Sequence, residues 1–208
     1  MVTYIIITII SYLIGSVNFS VLISKKMAGF DVREKGSGNA GTTNMLRSVG
    51  KGWAAATLVC DIVKGIFAIL IAIGIGKIAT DVKPEILVQV AGIFAIIGHT
   101  YPVYFGFKGG KGVATSLGIL LMINWQIGLI CLVFALVLMI LSRMVSLGSI
   151  IAAVLFPVLT IFITENYIVD GNYIIFGIIM AVIVIFNHRS NLKRIYNGEE
   201  NKLGFKKF

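Results

Sequence analysis

Only two cysteines occur in the 208 residues, Cys60 and Cys131, and both lie inside apolar runs without metal-ligand spacing. A disulfide framework and a cysteine-held metal site are therefore not expected, and both residues are read as small core side chains. Charge is scarce too: 13% of residues are charged and only nine are acidic, while 58% are hydrophobic. That balance excludes an ordinary soluble domain. No basic residue precedes Lys25, so a cleavable leader with a positive start is not expected and the first apolar run should remain in the mature protein. Nothing in the chain reads as a linker, a repeat or a low-complexity stretch. The expectation is a single integral-membrane domain over 1–208.

What is present is apolar length. Segments at about 3–24, 52–76, 85–105, 113–123, 126–142, 147–164 and 172–187 recur at the scale needed to cross ~30 Å of hydrocarbon, about 20 residues each. The fourth segment, 113–123, is short: as a helix it rises only ~16 Å. It could fuse with the fifth into one long helix, giving six spans rather than seven. Charge decides between the two. With seven spans and the N-terminus outside, the inner loops hold Lys25, Lys26, Arg33, Lys35, Arg47, Lys51, Lys108, Lys111, Arg143, Arg189, Lys193, Arg194, Lys202, Lys206 and Lys207, fifteen of the eighteen basic residues. Six spans would place Arg143 and the basic C-terminal tail outside, against the positive-inside tendency. The expected fold is all-α and polytopic, with seven transmembrane helices, a short fourth one set off near Asn124, Trp125 and Gln126, and a cytoplasmic C-terminus. The net charge of +9 then needs no nucleic acid to explain it.

This topology gathers three polar segments, about 25–51, 98–116 and 187–200, on the inner face. The first contains Gly36-Ser-Gly38-Asn-Ala-Gly41, which spells a dinucleotide fingerprint but lacks the preceding strand that gives the fingerprint meaning. The residue types still suit a polar ligand: small Gly38 and Gly41 allow close approach, Ser37, Asn39, Thr42, Thr43 and Asn44 form hydrogen bonds, and Arg47 suits phosphate. The second segment runs from Gly98 to Ser116 with five glycines and two lysines. Its Gly106, Gly110 and Lys111 miss the spacing of a nucleotide P-loop, and Gly112 stands where Ser or Thr is required. There remains a turn rich in backbone donors, with Lys108 and Lys111, leading into a helix from Val113 whose N-terminus attracts anions. His99 lies one turn earlier. In the third segment His188, Asn191 and Arg194 or Ile195 would share one face of a continuing helix. Within the second span, Asp61 and Lys64 are three apart and are read as a mutually neutralising structural pair.

Together, Gly36-Ser-Gly-Asn-x-Gly-x-Thr-Asn-x-x-Arg47, Gly98-His-x-x-Pro-x-x-x-x-Phe-Lys-Gly-Gly-Lys-Gly-Val-Ala-Thr115 and His188-Arg-x-Asn-x-x-Arg194 with the following Gly198-Glu resemble the bacterial acyl-phosphate-dependent glycerol-3-phosphate acyltransferases, the PlsY family. Asp61-x-x-Lys-Gly65 also looks like that family, and the likeness runs nearly end to end. It implies acyl transfer from acyl phosphate to the sn-1 hydroxyl of glycerol 3-phosphate, at the cytoplasmic side of the bacterial inner membrane, with membrane lipid as surroundings and neither cofactor nor metal. Carried over by motif, His188, Lys111, Ser37 and Asn191 take catalytic roles. Gly38, Asn39, Gly41, Thr42, Asn44, Arg47, His99, Lys108, Gly109, Gly110, Gly112, Thr115 and Arg194 hold substrate.

In this reading backbone N–H groups around Gly109, Gly110 and Gly38, with Lys111, grip the donor's phosphate, while Ser37, Arg47, His188 and Asn191 orient the acceptor. The base is open between His99, His188 and a substrate phosphate oxygen. The H-x-x-x-x-D dyad of the other glycerolipid acyltransferases is absent, since Tyr104 follows His99 by five and Lys193 follows His188 by five. An anion transporter and a membrane phosphatase are the rival readings; the first lacks midplane charges other than Asp61 and Lys64, the second a nucleophile with its base.

Overall fold

The computed structural model describes residues 1–204; Lys206 and Lys207, counted above among the inner basic residues, lie outside the described residues. The described chain is all-helical. Helices α1 (Val2–Ser16) and α2 (Phe19–Ala28) are followed by a 3₁₀ turn at Val32–Glu34 and the short α3 (Thr42–Ser48). Then come α4 (Lys51–Gly76), α5 (Pro84–Thr100), α6 (Val113–Ile123), α7 (Trp125–Ser142), α8 (Val145–Phe162), α9 (Ile174–Asn187) and α10 (Arg189–Tyr196).

Among these residues five helical stretches are long and apolar enough to cross a membrane, α1 with α2 counting as one; the bent pair α9–α10 makes a sixth. Helix α6 has 11 residues and ends before Asn124, so it does not fuse with α7. Asn124 turns the chain by capping α7: its side chain accepts from the Ile127 N–H at 3.1 Å and donates to the Glu165 carbonyl at 2.8 Å. Large apolar side chains such as Ile5, Val59, Phe67, Ile140 and Ile175 point outward, as expected where the surrounding solvent is hydrocarbon and the backbone is satisfied within helices.

Two expected boundaries change. The run at 3–24 is not one helix: it breaks at Val17–Asn18, where Asn18 caps α2, and α2 then continues to Ala28, so Lys25 and Lys26 ride on its last turn. The break has a physical use, because the freed Val17 carbonyl accepts from Lys64 Nζ at 2.8 Å. Lys64 also meets Asp61 at 2.8 Å, with both side chains buried, as the three-residue spacing predicts. His99 Nδ1 lies 3.6 Å from the same carboxylate, so α1, α4 and α5 are joined by one buried polar knot. The second change is at His188, where α9 and α10 meet at 63° instead of continuing as one helix.

Helix contacts rely on small residues. Helix α1 packs on α5, and α4 on α6. At Gly98 an added Cβ would strike the Tyr12 carbonyl, and at Gly118 the Ile62 carbonyl. Such close backbone approach is how helices associate in lipid, where burial of apolar area offers little. Gly118→Val is expected to force α6 off α4 and lower the melting temperature in detergent by several degrees, as overpacking costs about 1–3 kcal/mol; scanning fluorimetry would read it, and an unchanged midpoint would refute the tight contact.

Candidate active site

The three polar segments meet at one end of the bundle. The first is shaped by Asn44, whose Nδ2 donates to the Val32 and Lys35 carbonyls at 2.8 and 3.0 Å and whose Oδ1 accepts from the Ser37 N–H at 2.9 Å. Gly36 is required there: its φ is +59° and a Cβ would meet the Asn44 side chain. Arg33 ties this segment to the glycine-rich turn, donating to the Phe105 and Lys108 carbonyls at 2.6 and 3.0 Å. It also pairs with Asp31 at 2.7 Å. The hydrogen bond from Arg33 holds the Asp31 carboxyl down at about 2.

The glycine-rich turn corrects an expectation. The Gly109 N–H donates to the Thr100 carbonyl at 3.0 Å, Gly110 N–H to His99 at 3.1 Å and Gly38 N–H to Lys35 at 3.1 Å. None of these three groups is free to grip phosphate. Gly109 and Gly110 instead permit contact, since a Cβ on either would collide with His99. Open donors lie just beyond. The first bond into α6 is Ser116 N–H to the Gly112 carbonyl at 2.8 Å, which leaves the N–H groups of Val113, Ala114 and Thr115 without helical partners. Val113 and Ala114 face a cavity.

That cavity, of about 510 Å³, has two characters. Its length is apolar, between Leu120, Leu132, Leu136, Phe156 and Met180, while its end at the bundle's polar face carries Arg47, Lys111, His188, Asn191 and Arg194. A second, polar cavity of about 400 Å³ is walled by Gly38, Gly110, Asn187, Arg189 and Ser190. The two share Ser37, Asn39, Lys111, Arg194 and Asn201. Lys111 thus stands where a greasy chamber and a polar one adjoin.

Lys111 is held by a relay absent from the sequence reading. Its Nζ donates to Asn191 Oδ1. Asn191 Nδ2 donates to Glu200 at 2.7 Å, and the same carboxylate accepts from Ser146 Oγ at 2.9 Å and Arg194 Nε at 2.8 Å. A carboxylate only accepts and an ammonium only donates, so the orientation of the Asn191 amide is fixed from both sides. Burial pushes the Lys111 ammonium down to about 8, with Arg194 and Arg47 adding to the shift and Glu200 opposing it. Burial would raise the Glu200 carboxyl, but the hydrogen bonds from Asn191, Ser146 and Arg194 prevail and lower it. Around the junction, Arg47, Lys111 and Arg194 outnumber Glu200 in charge, leaving an excess of positive charge suited to a phosphate.

His188 is buried in the cavity wall with Nδ1 2.8 Å from the Val184 carbonyl. A carbonyl only accepts, so Nδ1 carries the proton and Nε2 is left as an acceptor.

The motif residues therefore divide. Ser37, Asn39, Gly41, Thr42, Asn44, Arg47, His99, Lys111, Gly112, His188, Asn191 and Arg194 border the first cavity, and Gly38 and Gly110 the second. Thr42 Oγ1 is buried without a partner. Three expected substrate contacts are not brought there. Lys108 is exposed, and its carbonyl serves Arg33. Gly109 borders neither cavity. Thr115 is fully buried, where its carbonyl abuts Gly65 of α4. Asn44 and Asn191 both border the cavity. Asn44 spends both Nδ2 hydrogens on the segment's own carbonyls and acts as a support. Asn191 uses one Nδ2 hydrogen on Glu200 and one Oδ1 lone pair on Lys111, and keeps the capacity to meet a ligand. Glu200, Ser146 and Asn201 were missed; an acidic pair in a basic tail, Glu199–Glu200, was the available signal.

Comparison with known proteins finds relatives over nearly the whole chain. The family model described as glycerol-3-phosphate acyltransferase matches residues 5–198. A glycerol-3-phosphate acyltransferase of Clostridioides difficile is 39% identical over 205 residues, covering 99% of this chain and 98% of its own. One of Nostoc is 43% identical over 96% of this chain and 92% of its own. The crystal structure of PlsY, an integral membrane glycerol 3-phosphate acyltransferase, in its glycerol 3-phosphate form, superposes with a TM-score of 0.83 at 33% identity, covering 97% and 96% of the two chains. With an integral-membrane relative this close over its whole length, and five or more helices of spanning length, the chain is a multi-pass membrane protein and belongs to the glycerol-3-phosphate acyltransferase family.

Proposed function

We propose that this protein transfers a fatty acyl group from acyl phosphate to the sn-1 hydroxyl of glycerol 3-phosphate, giving lysophosphatidic acid and inorganic phosphate, the first step of membrane phospholipid synthesis. The observation that carries the reading is Lys111 at the junction of an apolar and a polar chamber. A donor with a hydrocarbon tail and a phosphate head fits the first chamber; a small phosphorylated polyol fits the second.

The hydroxyl oxygen attacks the acyl carbonyl carbon, the bond from that carbon to the phosphate oxygen breaks, and inorganic phosphate leaves. Developing negative charge falls near the Lys111 ammonium and the unpaired N–H groups of Val113 and Ala114, a preorganised set of donors of the type that contributes most to such barriers. The hydroxyl proton has two acceptors at hand, His188 Nε2 and a phosphate oxygen of a substrate. Arg47, Arg194, Ser37 and Thr42 hold the phosphates, so proximity and orientation supply much of the rate. Because the donor is already activated, no covalent enzyme intermediate is required.

Seven crossings, with α6 as a short one, the N-terminus outside and the site at the cytoplasmic face of a bacterial inner membrane, fit the basic residues of the inner loops and bring a water-soluble acceptor to the polar chamber. The transporter reading finds no support in the family.

Donor choice tests the proposal. Purified protein given glycerol 3-phosphate is expected to form lysophosphatidic acid with hexadecanoyl phosphate and none above background with hexadecanoyl-CoA, since the junction at Lys111 suits a compact phosphate head. Robust turnover with the thioester alone would overturn the acyl-phosphate assignment.

A further inference from the structure

The apolar chamber has a floor. Leu120 of α6, Cys131 of α7, Phe156 of α8 and Met180 of α9 all line it and are each less than a tenth exposed. They come from four helices and close the chamber at one level. Its mouth is marked on the same four helices by Gly112, Met139, Ser146 and His188. From mouth to floor is eight residues along α6, α7 and α9 and ten along α8, or about 12 Å and about 15 Å at helical rise. The depths agree across independent helices and amount to about half the ~30 Å hydrocarbon thickness.

The floor is backed by solid packing. Phe156 meets Phe176 edge-on with ring centroids 6.0 Å apart, and Phe176 meets Tyr173 in the same way at 6.1 Å. Behind them Phe176 fills the space over Gly92, where an added Cβ would crowd its ring. The flank is less closed: Leu58 of α4 and Leu136 of α7 line the chamber and are both exposed. A tail can therefore enter sideways from lipid, yet its end meets a rigid wall.

We propose that Leu120, Cys131, Phe156 and Met180 form a ruler that sets the acyl-chain length this protein prefers. The inference rests on the acyl-transfer reading above and adds its specificity. A tail ending at the floor fills the chamber. A longer one must bend back through the flank between Leu58 and Leu136, and a shorter one leaves an empty space above Phe156, whose lining forfeits contact.

Relative kcat/KM for dodecanoyl, tetradecanoyl, hexadecanoyl and octadecanoyl phosphate tests this. Wild type is expected to show an optimum. Phe156→Ala deepens the chamber and should raise the ratio of longer to shorter donors by about tenfold, the scale of a methylene step in an apolar pocket. Ala181→Leu, on the cavity wall one residue beyond Met180, adds bulk and should shift the ratio toward shorter donors. If Phe156→Ala does not fold, Ala181→Leu decides alone. A ratio within twofold of wild type in the folded variants overturns the ruler. Loss of turnover on every donor in wild type would instead sink the acyl-transfer reading itself.

Discussion

Lys111→Ala is expected to reduce kcat/KM by at least about 10²–10³, the cost of removing a single preorganised donor from a site of developing negative charge. The ammonium stands at the shared wall of both chambers, and no other side chain reaches that position on the same turn, because Lys108 points to solvent. Lys108→Ala should therefore keep a rate within a few-fold of wild type. Such a contrast between two lysines three residues apart separates an assembled site from a merely basic loop. Arg47→Ala should behave like Lys111→Ala, with more of the loss in KM for a phosphorylated substrate. The variants must first elute as folded protein in detergent. Equal rates for Lys108→Ala and Lys111→Ala would remove the lysine from the mechanism.

The second large effect follows from Glu200→Gln. Wild-type Glu200 accepts from Asn191, Ser146 and Arg194 and raises the affinity of Lys111 for its proton. An amide in its place no longer fixes Asn191, so the Asn191 Nδ2 group can swing toward an ammonium that only donates. Activity is expected to fall about 10–100-fold, as one buried unmet partner costs about 1–3 kcal/mol.

The pH profile tells this apart from simple damage. In the proposed mechanism the charged form of Lys111 is the active one, so kcat/KM, which reports free enzyme, should be flat below and fall as pH rises through about 8. Removing the Glu200 charge removes an influence that holds the proton on, so the falling limb moves to lower pH. Glu200→Asp keeps the charge and should keep the limb near its wild-type position. A lower rate with an unmoved limb in Glu200→Gln would mean that the carboxylate serves the fold alone.

Much of the candidate site was legible in the sequence because its residue types are expensive in a membrane protein and cluster in three segments. Ser37, Arg47, Lys111, His188 and Arg194 were found that way and do converge. What pattern could not supply was which group each atom already serves. Gly109 and Gly110 look like an anion nest, yet the backbone bonds to Thr100 and His99 use their N–H groups, and only the path of the chain reveals it. Asn44 looks like a ligand and is a prop, and Asn191 also holds Glu200 and Lys111 in place. Glu200 lay hidden because the acidic pair Glu199–Glu200 marks the tail without indicating a partner; it matters through contact with Ser146, 54 positions away. In the fold, hydropathy located the apolar runs but was blind to the break at Val17–Asn18, where Asn18 caps α2 and the freed Val17 carbonyl accepts from Lys64 of α4. The short α6 was visible as a length and ends where Asn124 caps the next helix.

The most direct test is reconstitution. Purified protein in liposomes, supplied with hexadecanoyl phosphate and glycerol 3-phosphate, should yield lysophosphatidic acid and inorganic phosphate in equal amounts above protein-free controls. Phosphate release without lysophosphatidic acid, or no product at all from folded protein, would contradict acyl transfer between the two chambers.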